Sequence, residues 1–410
     1  MTNFRCKFCD TKLEHTFVDL GLGPLVDAYV DADALDRMEP FFPLHAYVCH
    51  QCFLVQLPPA VRPDEMFIDY PYFSSVSTSW LEHARRYADE AIKQFGLGST
   101  SRVKEIASND GYLLQYFHAA GIPVLGIEPA ANVAEIANAK GIPTVSRFFG
   151  LTTAEEVRTE HGAADLLIGN NVLAHVPERN DFIAGLKHLL AEDGVLTMEF
   201  PHLLRTMQEN QFDQVFHEHF SYLSLVTVER MFSAHGLALF DVAELPTHGG
   251  SLRIYARHAE RSEPAATPRL DALRAREQRF GLEDVVTYAN FAERPKQVKH
   301  GLLTFLLKAK HEGKSVVGYG AAGKAAVLLN FCGIGVDFLD FIADLSPHKQ
   351  GKYMPGVRIP IEPPEAIDKA KPDYVLILSW NLKDEIMQQL SHIRDWGGQF
   401  VLPIPETRIC

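Results

Sequence analysis

Four short apolar runs alternate with helical periodicity in the middle of this chain, and that alternation constrains the fold more than any other feature. The runs are VKEIAS (103–108), VLGIEP (124–129), DLLIGNNVL (165–173) and GVLTMEF (194–200), with helical patterns at 111–120, 130–140 and 179–191. Continuous apolar strands separated by amphipathic helices predict a parallel, doubly wound sheet covered on both faces. Its end differs. LALFDVAEL (237–245) and SLRIYARH (251–258) are strand runs separated by Pro246 to Gly250, which predicts a closing hairpin. A helix over 79–95, with Trp80, Ala84, Tyr87, Ala91 and Phe95 on one face, leads in.

A second, smaller α/β unit follows the polar, proline-bearing stretch ERSEPAATP (260–268) and a helical segment over 269–312. It contains KSVVGYGAAGKAAVLL, VDFLDFIAD (336–344), DYVLILSW (373–380) and QFVLPIP (399–405). With a loop-rich, cysteine-bearing N-terminus, the expected domains are 1–65, 66–259 and 260–410. The 410 residues suffice for each part to bury a core.

The charge balance, 39 basic against 52 acidic residues for a net −13, excludes a phosphate-neutralising nucleic-acid binder. No apolar run approaches the ~18 residues of a membrane span. The start, MTNFRCKFCD, has no basic stretch before an apolar core, so a cytoplasmic protein is expected, acting as a monomer or weak homo-oligomer.

Cys6-x-x-Cys9 and Cys49-x-x-Cys52 offer four thiolates, a complete tetrahedral shell for a structural zinc ion. A redox dithiol would need only one such pair beside a βαβ pattern, which is absent here. A closed shell leaves no position for a catalytic water, so the metal is expected to fold the lobe and to do no chemistry.

At the end of the first central strand stands Glu105-Ile-Ala-Ser-Asn109-Asp-Gly111, where glycine relieves the strand-to-helix turn. The second strand ends in Gly126-Ile-Glu128-Pro129, followed by Asn132. An acid at the end of that strand can accept hydrogen bonds from both hydroxyls of a ribose. There is no pyrophosphate cradle, so S-adenosylmethionine (SAM) fits better than a dinucleotide. Asn170, Asn171 and His175 stand at the end of the third run, on the same edge.

Phe216-His217-Glu218-His219-Phe220 sets three titratable groups in an aromatic context. If extended, His217 and His219 share one face and Glu218 takes the other, a poor geometry for a helical zinc pair. A general base with a carboxylate to fix its tautomer is the better reading. A rival reading lies in Gly318-x-Gly320-x-x-Gly323, with Asp344 at the end of the next strand. Alone, this is a dinucleotide fingerprint for an NAD-dependent oxidoreductase acting on a nucleotide sugar. Lys324, directly after the last glycine, adds a charge suited to a diphosphate.

The parallel sheet closed by a hairpin has the layout of a class I methyltransferase. The cysteine quartet, PYFSS (71–75), EIASNDGYLL (105–114), GIEPAANVA (126–134), NNVLAHVP (170–177), FDQVFHEHFSYLS (212–224), HGGSLR (248–253) and GYGAAGKA (318–325) occur in that order. In this combination the chain resembles the SAM-dependent sugar C-3′-methyltransferases of deoxysugar biosynthesis, from Cys6 to the C-terminus. The resemblance implies a zinc-binding lobe, a central SAM domain, a C-terminal Rossmann-like domain and a nucleotide-linked 4-keto-deoxysugar, usually dTDP-linked, between them. It implies Tyr72, His175, Glu218 and His219 around the reacting carbon. The SAM edge would comprise Asn109, Gly111, Glu128, Pro129, Asn132, Asn170 and Asn171. The sugar nucleotide would meet Tyr72, Ser74, His248, Arg253, Gly320 and Lys324. His219 is expected to be the base, oriented by Glu218. Where the family commonly carries tyrosine, this chain has Phe216, which brings no hydroxyl.

Overall fold

A computed structural model of the chain describes residues 4–60 and 73–410. Its strands form three sheets. The first joins β1 (His15–Gly23), β2 (Phe42–Val48), β3 (Val55–Gln56) and, from far along the chain, β9 (Ser221–Tyr222), all antiparallel. The N-terminal region is therefore less loop-rich than its turn residues suggest. Val18, Ala46, Val48 and Val55 are fully buried and supply its core.

The central sheet contains β4 (Val103–Ile106), β5 (Val124–Ile127), β6 (Thr144–Val145), β7 (Ala164–Asn170), β8 (Leu190–Pro201), β10 (Leu237–Leu245) and β11 (Ser251–His258). Their spatial order is β10-β11-β8-β7-β4-β5-β6. The first five in sequence run parallel; β11 inserts antiparallel between β8 and β10. The order reverses at β4, between β5 and β7. In open α/β sheets ligands bind outside the strand carboxyl ends at such a reversal.

The helix Thr78–Phe95 starts on the Ser77 hydroxyl and stops at left-handed Gly96. It buries Ala84, Tyr87, Ala88 and Ala91 against the sheet. The predicted helix over 111–120 is shorter, Leu114–Ala119, because a turn at left-handed Asn109 and Gly111 occupies its start. The expected strand 165–173 ends at Asn170, where left-handed Asn171 breaks it. The segment 269–312 divides into Pro268–Phe280, Val285–Ala289 and Arg294–His311, its first break being left-handed Gly281.

The third sheet consists of β12 (Val316–Tyr319), β13 (Ile342–Ala343), β14 (Ile361–Glu362), β15 (Tyr374–Ile377), β16 (Gln399–Leu402) and β17 (Arg408–Ile409). It is parallel except at β17, in the order β14-β13-β12-β15-β16-β17. One apolar cluster runs from Leu13 and Phe17 through Leu167 and Phe200 to Phe400, so the three sheets share a core. Among the described residues, no helix is long and apolar enough to cross a membrane.

Candidate active site

The four cysteine sulfurs of Cys6, Cys9, Cys49 and Cys52 all lie within 4.8 Å of one another, with Cys6–Cys52 and Cys9–Cys49 each at 3.5 Å. A tetrahedron with Zn–S bonds of about 2.3 Å has S···S edges of about 3.8 Å, so the donor set fits zinc. The cluster is joined to the rest of the molecule through β3. Gln56 Nε2 donates to Cys6 Sγ (3.3 Å), and β3 pairs with β9 at Val55–Tyr222 and Gln56–Ser221. β9 begins two residues after His219. The lobe thereby fixes one end of the His-Glu-His segment.

A cleft of about 820 Å³ opens where the three sheets meet. Its central wall is the carboxyl edge of β4, β5 and β7. Glu128, only 5% exposed, accepts the Asn109 and Ala130 backbone N–H groups (2.9 and 3.0 Å). These two bonds leave further lone pairs on its oxygens facing the cleft. Burial raises its pKa against the lowering effect of those amides. Asn109 Oδ1 accepts from Ser74 N–H (2.8 Å) and so ties the start of the lead-in helix to this edge. Pro129, Asn170 and Asn171 also line the cleft. The Oδ1 atoms of Asn170 and Asn171 are buried with no hydrogen-bond partner among the described residues, the state of a polar edge built for a ligand. Gly111 and Asn132 are not on the wall. Gly111 supplies the left-handed turn against Ile142, and Asn132 sits in the helix behind.

The His-Glu-His segment is not extended. His219 N–H closes a turn onto the Phe216 carbonyl (2.9 Å), which sends the three side chains to three destinations. His217 is buried against Phe42, its Nε2 3.2 Å from the Pro43 carbonyl. His219 and Glu218 both face the cleft. The expected orientation of His219 by Glu218 is corrected: His219 Nδ1 donates to the Gln214 carbonyl (2.9 Å), which leaves Nε2 as the unprotonated nitrogen. Its ring lies 3.9 Å from Phe216 and 4.8 Å, edge to face, from His175. Burial, with Lys324, His175 and His248 nearby, holds His219 well below the usual imidazole range. Burial likewise lowers His175 to about 4, against a bond to the Glu218 backbone. Both rings are neutral at neutral pH.

The far wall comes from the C-terminal sheet: Ala322, Gly323, Lys324, Lys349, Ser379 and Asn381. Burial depresses Lys324 to about 8, while Asp213 favours its charge. Its Nζ sits 4.6 Å above the Trp380 ring and 3.5 Å from Asn381 Oδ1. Gly320 shapes the turn, at φ +94 where a Cβ would collide with Ser379, and is not on the wall. His248, left-handed at φ 53, faces the cleft beside Asn171 (3.3 Å) and Trp80. Arg253 is a correction. It is 2% exposed, bonded to Glu199 (2.6 Å) and stacked 4.0 Å over Tyr87, so its charge is spent beneath the cleft. Tyr72 lies outside the described residues.

Comparison with known proteins now decides the family. Residues 6–67 match the zinc binding domain model, 80–242 a methyltransferase domain and 246–405 the C-methyltransferase C-terminal domain. The C-methyltransferase NovU of Streptomyces niveus is 36% identical over 404 residues, covering 98% of this chain and 96% of that protein. The chain is a C-methyltransferase. The central strand order is that of the class I SAM-dependent enzymes. Among solved structures, magnesium protoporphyrin IX methyltransferase (ChlM) from Synechocystis PCC 6803 with bound SAH is similar over 43% of this chain and 82% of its own, at 16% identity and a TM-score of 0.34. A SAM-dependent methyltransferase from Mesorhizobium loti covers 43% and 100%, at 15% identity and a TM-score of 0.35. This C-methyltransferase binds SAM in its central domain and carries a zinc-binding lobe.

The alternative of an NAD-dependent oxidoreductase is not supported, since the models matching residues 6–67, 80–242 and 246–405 belong to methyltransferases. The geometry gives the reason the C-terminal fingerprint misleads. Asp344, the acid that would meet a ribose, instead accepts the Ala321 N–H (2.7 Å) and Ser346 N–H (2.8 Å). The N-terminal lobe also sits on the loop: Tyr29 Oη donates to the Ala321 carbonyl (2.7 Å).

Sequence reading missed several residues of the cleft, among them Asp27, Trp80, Tyr112, Gln214, Lys349 and Asn381. Trp80 was visible only as a core position of a helix face, and Asp27 sits in a segment without a motif. Lys349 and Asn381 arrive from loops after short strands, where local sequence carries no signal.

Proposed function

We propose that this C-methyltransferase transfers the methyl group of SAM to C3 of a nucleotide-linked 4-keto-deoxysugar, with His219 as the base. The observation that carries the reading is the placement of a neutral imidazole, tautomer set by the Gln214 carbonyl, in one cleft with the Glu128 edge and Lys324.

When bound, SAM supplies an electrophilic methyl group. Glu128 would accept the ribose hydroxyls, with Asn109, Pro129, Asn170 and Asn171 around the nucleoside and amino-acid parts. A 4-ketone acidifies the hydrogens on its neighbouring carbons, so a modest base suffices if the enolate oxygen is stabilised. His219 Nε2 takes the C3 proton. The resulting imidazolium keeps its Nδ1–H on the Gln214 carbonyl, which favours the charged form and offsets part of the cost of burial. His175 and Tyr72 serve the enolate oxygen or carry protons. Phe216 contributes an apolar face against His219 instead of a phenol, and Tyr222 lies behind the imidazole with ring centres 6.2 Å apart. Lys324, Ser74 and His248 hold the nucleotide sugar, Lys324 as the diphosphate's counter-charge.

The test incubates the enzyme and SAM with dTDP- and GDP-linked 4-keto-6-deoxysugars and their 4-hydroxy counterparts, read by mass spectrometry and NMR. A gain of one methylene on the ketone alone, located at C3, is expected. A methyl at C5, also adjacent to the ketone, would retain the chemistry and reject the position. His219→Ala should lose about 10²–10⁴-fold in turnover while binding SAM normally; near-normal turnover would reject His219 as the base.

A further inference from the structure

The turn that holds the His219 ring also reaches the cation on the opposite wall. Phe212–Gln214 is a buried 3-10 turn whose Gln214 carbonyl takes the His219 Nδ1–H. One residue earlier, Asp213 Oδ2 accepts the Trp380 indole N–H at 2.6 Å, across 167 positions of chain. Asp213 is 0% exposed, and its Oδ1 has no hydrogen-bond partner among the described residues. Trp380 is buried just behind the C-terminal wall, and its ring carries the Lys324 ammonium at 4.6 Å. The closing hairpin packs against the same ring: a Cβ on Gly249 would fall 2.6 Å from it, so the close approach requires glycine. Lys324 stands in the first turn of the helix Gly323–Cys332, where a cation opposes the helix dipole. Its ammonium reaches the His248 carbonyl and Asn381 Oδ1 only at 3.5 Å, and among the described residues it forms no ion pair. An aromatic face attracts a cation without neutralising it, whereas a carboxylate bonded to the lysine would compete with an incoming phosphate. Here the carboxylate bonds the indole instead, which polarises the ring towards the cation.

We propose that Asp213 and Trp380 are positioning residues for the nucleotide sugar: Asp213 fixes the indole, the indole seats Lys324, and the lysine keeps its charge for the diphosphate. This rests on the reading that Lys324 is the diphosphate's counter-charge. Adjacent residues, Asp213 and Gln214, hold the indole and the His219 ring, so the spacing from the gripped diphosphate to the base is set within one turn. Burial raises Asp213 to about 6, against the Lys324 charge and the indole bond, which leaves it ionised at neutral pH.

The test is a double-mutant cycle on the intact protein, read by calorimetry with dTDP and GDP. Asp213→Asn should weaken the nucleotide that binds by about fivefold and Lys324→Met by about tenfold. In the double variant Asp213→Asn should add less than about twofold, because its effect passes through the missing ammonium. KM for the nucleotide sugar should rise about fivefold in Asp213→Asn, with KM for SAM unmoved. A second readout uses wild type labelled with ¹⁵N-tryptophan, whose three tryptophans give three indole N–H signals. That of Trp380, identified by its loss in Trp380→Phe, should lie downfield of the others and move as nucleotide is added. Should Asp213→Asn not fold, this wild-type signal decides alone. Equal affinity in wild type and Asp213→Asn, full additivity in the double variant, or an indole signal indifferent to saturating nucleotide would overturn the proposal. Neither nucleotide binding, or Lys324→Met binding as tightly as wild type, rejects the diphosphate reading and the proposal with it. A loss in Lys324→Met without one in Asp213→Asn rejects only the seat.

Discussion

Two regions of this molecule share one local plan: a parallel strand, a tight turn with left-handed backbone, a helix, and an acid at the end of the next strand. In the central sheet that acid is Glu128; in the C-terminal sheet it is Asp344. The C-terminal version has the stronger motif and the weaker claim to a nucleoside. Both carboxylates accept two backbone amides, but Glu128 still faces the cleft, whereas Asp344 is folded into the glycine loop's own bonds. The lobe's Tyr29 then lies over that loop. A glycine pattern specifies a backbone shape; what the shape binds depends on which neighbours have already filled it.

That contrast can be broken or sharpened by experiment. The largest effect should come from the cysteine cluster, because β3 and β9 couple it to the His-Glu-His segment that faces the cleft. Cys49→Ala, or strong chelation, should lower the melting temperature by roughly 10 °C or more and abolish methyl transfer; an unaltered melting curve would show the lobe to be independent of its metal. Glu128→Gln should weaken SAM by roughly 100-fold in calorimetry, as expected when two hydroxyls lose a charged acceptor. Wild-type SAM affinity should also fall on the acid side, beginning above the ordinary glutamate range. Burial raises Glu128, and its acceptor capacity is lost as pH drops through that value. The Gln variant should lack this limb. Lys324→Met should weaken the nucleotide sugar by about tenfold and flatten its salt dependence, with SAM unaffected. Asp344→Asn should leave SAM affinity within about twofold of wild type; a large loss there would make the two acids equivalent and erase the comparison.

Much of the fold was readable in the chain because its elements follow local rules. The closing hairpin falls at Leu237–Leu245 and Ser251–His258 as its flanking Pro-Thr-His-Gly-Gly predicts, and the lead-in helix obeys its cap and its terminal glycine. The cysteines announce their cluster by spacing alone. The errors arose where single backbone residues overrule periodicity: Asn109 and Gly111 delay one helix, and Asn171 shortens one strand. That Asn170, Asn171 and Glu128 stand on the cleft's edge was legible because strand ends are predictable. Arg253 was misassigned because a sequence does not say which face of β11 meets Glu199.

The sequence by itself determined the succession of strands and helices, the cysteine cluster and the polar strand ends that line the cleft, since each is written in spacing or periodicity within a short window. Only the tertiary structure decided where each of the three groups in His-Glu-His points. A four-residue turn points His217 at the Pro43 carbonyl, His219 at the Gln214 carbonyl and Glu218 into the cleft. The physical reason is that tautomer and charge depend on the partner an ionisable group meets in space. Pro43 stands more than a hundred residues earlier in the chain, brought there by a lobe whose own strand runs beside β9.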